Sequence, residues 1–300
     1  MLKGAGALSG PRLLTMSRKG KEWTNMNQKV VKLLRIVLFG VLIAAFGVVI
    51  WRQAEYAGGR ADYDKAVELA GLTETAAPSA TPSALPSGGP AAAEETLPPE
   101  EEVPIRLEDV DLAALQQVNS DVIGWISIPD TELSYPVLQG KDNQYYLNHT
   151  WRKQRNGVGA IYMDYRFDPG LTDFYTLIYG HRMHNATMFG SLARYDSKAY
   201  WEEHPSVYVA HEGGVNEYDI FAAFEASVDS DVYRRGFSQT EDREAFISWC
   251  LEQSVIDTGV RPTAEGRIIT LSTCTQSGGA ATRWVVLASL AETEENSSAG

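Results

Sequence analysis

The chain has 300 residues, 44% of them hydrophobic and 22% charged, proportions that suit a packed core and exclude a disordered or fibrous protein. Its 26 basic and 39 acidic side chains leave a net charge of −13, unevenly spread, since residues 1–35 hold eight Lys or Arg against Glu22 alone. The acidic remainder has no cationic cluster to neutralise phosphates, so no nucleic-acid partner is expected. Two cysteines, Cys250 and Cys274, are too few for a disulfide scaffold or a Cys-rich zinc site.

After the basic head, residues 1–35, comes Ile36 to Trp51, sixteen residues without a charge, extended to nineteen by Leu33, Leu34 and Arg35. A helical span of a bilayer needs about 20 apolar residues, and Arg35 can snorkel from one end. Lys29, Lys32 and Arg35 precede the run while Arg52 stands nearly alone after it, which predicts a cytoplasmic N-terminus and an extracellular remainder. A cleaved export signal is the competing reading. Its apolar region is usually only about 7–15 residues and no small-x-small site follows Trp51, so 36–51 reads as an uncleaved signal anchor.

Residues 52–71 have the pattern of a short juxtamembrane helix, and residues 76–104 hold seven of the chain's 13 prolines among Ala, Ser, Thr and Glu. That composition cannot bury a core, so 52–104 reads as a juxtamembrane segment and an extended linker. Packed-domain composition runs from 105 to 290, and 291–300 reads as a frayed acidic tail.

Within 105–290 a helix is predicted near Leu107–Val118, followed by eight β-like runs. These are Val122–Ile128, Leu133–Leu138, Val158–Asp164, Phe174–Tyr179, Ser206–His211, Glu217–Val228, Arg267–Thr273 and Arg283–Leu290. Pro129-Asp130-Thr131 marks a turn and Gly213-Gly214 a hairpin, and a helical pattern covers Glu241–Val255. Many short strands with few helices between them favour a mainly β barrel or sandwich over a doubly wound sheet.

Cys274 ends the run Ile268–Thr273 and precedes Thr275-Gln276-Ser277-Gly278-Gly279, which places a thiol where a buried strand emerges into a flexible loop. For a lone cysteine, packing is the ordinary explanation; here it has company. His181 follows Phe174–Gly180, a second β-like run ending in glycine, and an imidazole there can exchange protons with a thiol and a leaving amine near neutral pH. His149, His184, His204 and His211 compete for that role, and His184 reads as a solvated side chain. No HExxH spacing or cysteine pair accompanies them, so no metal is expected. Arg283 opens the last run nine positions after Cys274, across a glycine-containing loop that returns it beside the cysteine. A guanidinium there can donate to a developing oxyanion; the bland reading is a strand-edge arginine. Cys250, in Phe246–Leu251, reads as helix packing, and a Cys250–Cys274 bridge is disfavoured.

Taken together, Thr270-Leu271-Ser272-Thr273-Cys274, Tyr179-Gly180-His181 and Arg283 resemble the sortase family of cysteine transpeptidases. The segments Asp121–Pro129, Tyr135–Asn143, Tyr145–His149 and Thr187–Gly190 are similar to class B members in particular. The resemblance covers essentially the whole of 105–290. It implies an eight-stranded sortase β-barrel with an N-terminal helical extension and a helix between the sixth and seventh strands, where Glu241–Val255 lies. It also implies that Cys274 cleaves a C-terminal sorting signal after Thr through a thioester and that His181 carries protons. Arg283 would meet the oxyanion, and Ser272 and Thr273 would supply polar contacts to the substrate or strand geometry. The implied partners are surface proteins bearing the signal, with a motif of Asn-Pro-x-Thr type, a lipid-linked peptidoglycan precursor amine, and the membrane; no cofactor is implied. A pilin lysine as acceptor, or a catalytically silent surface-binding barrel, are the alternatives. The uncharged, small residues of 275–280 depart from the acidic or bulkier loop common in class B.

Overall fold

The computed structural model describes residues 18–72, 107–183, 185–274 and 281–291, with 18–29, 52 and 274 described by backbone alone. The Pro-rich stretch 76–104, His184, the loop 275–280 and the tail from 292 lie outside the described residues. The chain forms two compact units, Met1–Ala54 and Glu55–Gly300.

The first helix, α1, is Arg18–Leu69. Its apolar stretch from Val30 onward is exposed, and its most apolar 18-residue window has a mean hydropathy of 2.7, sufficient by length and composition to cross a bilayer. From Glu55 onward the helix belongs to the second unit, so the packed domain begins earlier than residue 105, the boundary read from composition. Tyr63, Ala66 and Ala70 form a stripe at i, i+3 and i+7 and are buried in the same core as the barrel. Small alanines permit close approach, and polar groups fix the docking. Asp62 accepts hydrogen bonds from Thr150 Oγ1 at 2.6 Å and Arg152 Nη1 at 3.3 Å, and its carbonyl accepts from Trp151 Nε1 at 2.7 Å.

The predicted helix near Leu107–Val118 is two pieces, a 3-10 turn Leu107–Asp109 and α2, Leu112–Val118. Asp111 divides them because its carboxylate caps α2 by accepting from Ala114 N at 2.8 Å, while its own N–H donates to Ala70.

Eight strands follow: β1 Val122–Ser127, β2 Ser134–Leu138, β3 Ile161–Met163, β4 Tyr175–Tyr179, β5 Ser206–His211, β6 Gly214–Ser227, β7 Ile268–Cys274 and β8 Thr282–Leu290. They close into a barrel in the order β1-β2-β3-β4-β7-β8-β6-β5, which leaves no sheet edge. The β2–β3 and β4–β7 pairs are parallel and the others antiparallel. The strand β3 is shorter than its β-like run because Asn156 to Gly159 forms a turn, with Gly159 at φ +63°, and Asn156 Nδ2 is held by the Glu55 carbonyl. The strand β6 begins earlier than expected because Gly214, at φ +117°, already pairs with His211.

The barrel interior draws buried side chains from all eight strands, including Ile178, Ile269, Leu271, Val286 and Ala288. A second cluster covers the outer face of β4, β7, β8 and β6, where Tyr175, Leu177, Ile268, Val285 and Leu287 meet Phe246, Ile247 and Cys250. Those last three belong to α4, Thr240–Gln253, inserted between β6 and β7 as expected. The remaining helix, α3, is Lys198–Glu203.

Asp164, fully buried after β3, ties its own loop to the β2–β3 connection and to β4: Arg166 pairs with it through Nε at 2.7 Å and through Nη2, Asn143 Nδ2 donates at 2.8 Å, and Tyr179 reaches it at 3.3 Å. Burial by itself would raise its carboxyl pKa, but the hydrogen bonds from Arg166 and Asn143 outweigh it and hold the group below the ordinary carboxylate range. A depressed folded-state value means stabilisation that is present above the unfolded value near about 4 and lost as pH falls through the folded value. Denaturant midpoints measured against pH are therefore expected to fall below about pH 4, and Asp164→Asn, less stable at neutral pH, to show a flatter acid limb. An acid limb unchanged by the substitution would contradict this assignment.

Candidate active site

The strands β4 and β7 pair in parallel from Tyr175↔Ile268 to Tyr179↔Ser272, and Gly180 N–H continues the ladder to the Ser272 carbonyl at 3.2 Å. His181 lies two residues past Tyr179, and Cys274 two past Ser272. On the other side of β7, Cys274 pairs directly with Arg283 of β8. Three neighbouring strands thus bring positions 181, 274 and 283 to one level.

Strand alternation gives the face. In β7, Ile269 and Leu271 are interior residues while Ile268 belongs to the outer cluster, so Ser272 and position 274 fall on the outward register. Arg283 shares it with Val285 and Leu287, and position 181 with Tyr175 and Leu177. Thr273 takes the opposite register, paired with Trp284, and is buried, its hydroxyl without a hydrogen-bond partner among the described residues. Of the two polar residues proposed from the motif for substrate contact, only Ser272 is therefore on the site's face. It too is buried, and its Oγ is 2.9 Å from the Tyr233 hydroxyl, contributed by the 3-10 helix Asp231–Tyr233 in the β6–β7 connection.

The imidazole of His181 is held from below. Its Nε2 is 2.6 Å from the Leu147 carbonyl. A carbonyl can only accept, so Nε2 carries the proton, and in the neutral ring Nδ1 is the basic nitrogen. Gly159 forms the shelf beneath: a Cβ there would come within 2.8 Å of His181 Cδ2 and of the Tyr146 and Leu147 carbonyls. Gly159's own carbonyl accepts from the Tyr63 hydroxyl of α1 at 2.6 Å. Glycine is required at position 180 as well, where a Cβ would enter the Phe189 ring at 2.6 Å. Arg283 is partly exposed, with Nη1 donating to the Thr282 carbonyl at 2.8 Å.

Three of the competing histidines, those among the described residues, have local roles. His149 stacks on Tyr145 with ring centroids 4.0 Å apart, His204 Nδ1 meets the Pro129 carbonyl at 3.1 Å, and His211 accepts from Gly213 N–H at 3.2 Å. Cys250 is a free, fully buried thiol whose pKa burial pushes far up, so it serves as packing and not as a bridge partner.

A family model described as the Sortase domain matches residues 126–291. Sortase B of Listeria monocytogenes is 39% identical over 166 residues, 55% of this chain and 67% of that protein. Sortase B of Staphylococcus aureus is 32% identical over 174 residues, 58% of this chain and 71% of that protein.

The chain belongs to the sortase family, class B.

The solved Staphylococcus aureus sortase B–substrate complex superposes with a TM-score of 0.57 at 32% identity, covering 61% of this chain and 85% of the other. The Listeria monocytogenes sortase B structure gives 0.54 at 37% identity, covering 59% and 98%. This sortase is accordingly a cysteine transpeptidase on a closed eight-stranded barrel. Sequence reasoning missed the Leu147 carbonyl, Gly159 and Tyr233. Gly159 was signalled only by the Gly157-Val158-Gly159 spacing, and the other two by nothing local.

Gly159→Ala is expected to displace the imidazole and reduce kcat/KM on a sorting peptide by at least about tenfold, since small misplacements of a reacting group are costly. Gly236→Ala supplies the control: Gly236 has φ +80° but no atom within 4 Å of a Cβ, so it carries the backbone strain without the clash. Equal activity in the two variants, assayed beside thermal melts, would remove Gly159 from the site.

Proposed function

We propose that this sortase cleaves a C-terminal sorting signal after a threonine and transfers the protein to an amine of a peptidoglycan precursor. The observation that carries the proposal is the common level and face of positions 181, 274 and 283. In this reading the Cys274 thiolate attacks the threonine carbonyl carbon, forming the C–S bond, and the Arg283 guanidinium donates to the oxygen that becomes negative. The C–N bond then breaks as His181 gives the departing amine a proton. A thioester remains. The incoming amine attacks it, His181 takes the amine's proton, the C–S bond breaks and the thiolate returns.

Ser272, with Tyr233, would shape the wall along which the signal lies, while Thr273, from the barrel interior, would support the strand. The apolar stretch Ile36–Trp51 would anchor the enzyme with a cytoplasmic N-terminus and place the catalytic unit outside, where an exported substrate and a lipid-linked precursor both reside. The basic flank supports that orientation.

Incubation of full-length protein with a sorting peptide, followed by intact-mass analysis, is expected to detect an acyl adduct on Cys274 that is absent in Cys274→Ala. His181→Ala and Arg283→Lys are expected to lose about 100-fold or more in kcat/KM, because lysine cannot reproduce the planar fork of donors. Cleavage undiminished in Cys274→Ala would refute the nucleophile, and full activity in either of the other variants would refute that residue's role.

A further inference from the structure

A cavity of about 470 Å³ opens between the last turns of α1, the β1–β2 turn and the loop that follows β4. That volume lies within the range of about 300–1,000 Å³ typical of small-ligand sites. Asp64 and Glu132 contribute carboxylates to its lining and Arg60 one cation, so the lining is net negative. Tyr56, Asn185 and Thr187 add a ring and polar groups suited to a peptide. Ser272 and Tyr233, which flank the proposed sorting-signal face, are not among its lining residues.

The cavity adjoins the proton carrier through its walls. Tyr63, which lines it, donates to the Gly159 carbonyl, and Gly159 packs under the His181 ring. Met183 and Met188 line it from the loop after β4, and that loop is tied to His181 because Phe189 N–H donates to the His181 carbonyl at 3.0 Å. A chain of adjacent residues thus links an acidic, peptide-sized cavity to the group that must take a proton from the second substrate.

We infer that this cavity binds the acceptor as a short peptide bearing a primary ammonium group. The inference rests on the transpeptidase reading given above. Asp64 and Glu132 would hold the ammonium in the approach; one proton leaves to solvent and a second to His181 as the nitrogen attacks, an amide C–N bond forms and the thioester C–S bond breaks. The cavity's size suits a few peptide units and not the surface of a folded subunit, which favours a wall-precursor peptide over a pilin lysine.

The test follows the fate of the acyl-enzyme in full-length protein kept in detergent. With a saturating sorting peptide, the ratio of aminolysis to hydrolysis products is measured with triglycine and, separately, with hydroxylamine, a nucleophile too small to need a peptide site. This ratio is independent of how much thioester forms. Asp64 and Glu132 are both exposed, so Asp64→Asn/Glu132→Gln leaves the core intact. In that double variant the triglycine ratio is expected to fall about threefold to tenfold, the scale of two partly solvated ion pairs, with the hydroxylamine ratio unchanged. An unchanged triglycine ratio, or a parallel fall for both nucleophiles, would overturn the assignment. Absence of any thioester in the wild type would instead refute the transpeptidase reading, and this inference with it.

Discussion

The parallel pairing of β4 with β7 is the constraint on which the rest of the molecule depends. Parallel neighbours keep a fixed offset along their whole length, so the level at which β7 ends sets the level at which the residue after Gly180 emerges. Because side chains alternate, a slip of one residue in β7 would move position 274 from the outward register to that of Ile269 and Leu271 inside the barrel. The antiparallel partner β8 then sets the third group by direct pairing of Cys274 with Arg283. The relative level of the three positions is thus fixed by hydrogen-bond register in a closed barrel, with α4 packed on the outer face of the same strands.

The second support comes from α1. Glu55, Asp62 and Tyr63 all bond to the segment 150–159, which ends at the glycine shelf under His181. The catalytic unit therefore includes the end of the helix whose earlier part is apolar. A polar docking of this kind is directional: buried Asp62 and the Tyr63 hydroxyl each have one geometry that satisfies them, and losing it would strand buried polar atoms. The histidine's placement and the helix's attachment are consequences of the same contacts.

Much of this was legible in the residues. Alternation and turn chemistry located all eight strands, because each buries a face and each is bounded by Gly, Pro or Asx residues, as at Pro129-Asp130 and Gly213-Gly214. The cysteine, histidine and arginine proposed for catalysis could be singled out because each stands at the end of an apolar run. Their common level was not, since the β4–β7 partnership spans residues 175 to 272 and leaves no local trace. The domain boundary failed for a related reason. Tyr63, Ala66 and Ala70 look unremarkable next to the apolar run before them, and the proline-rich stretch after them suggested that the packed domain had not yet begun. Backbone partners such as the Leu147 carbonyl are invisible to any reading of side chains. Thr273 adjoins the cysteine in the chain, but strand alternation turns it to the other register, which sequence adjacency alone does not show.

Crosslinking measures the shared level directly. In a Cys250→Ala background, His181→Cys and, separately, Arg283→Cys each place a second thiol on a chain next to Cys274. Strands in a sheet lie about 4.8 Å apart, within reach of a disulfide. Mild oxidation of full-length protein followed by peptide mass mapping is expected to find a 181–274 bridge in the first variant and a 274–283 bridge in the second. Failure of both bridges to form while the thiols remain titratable would contradict the account.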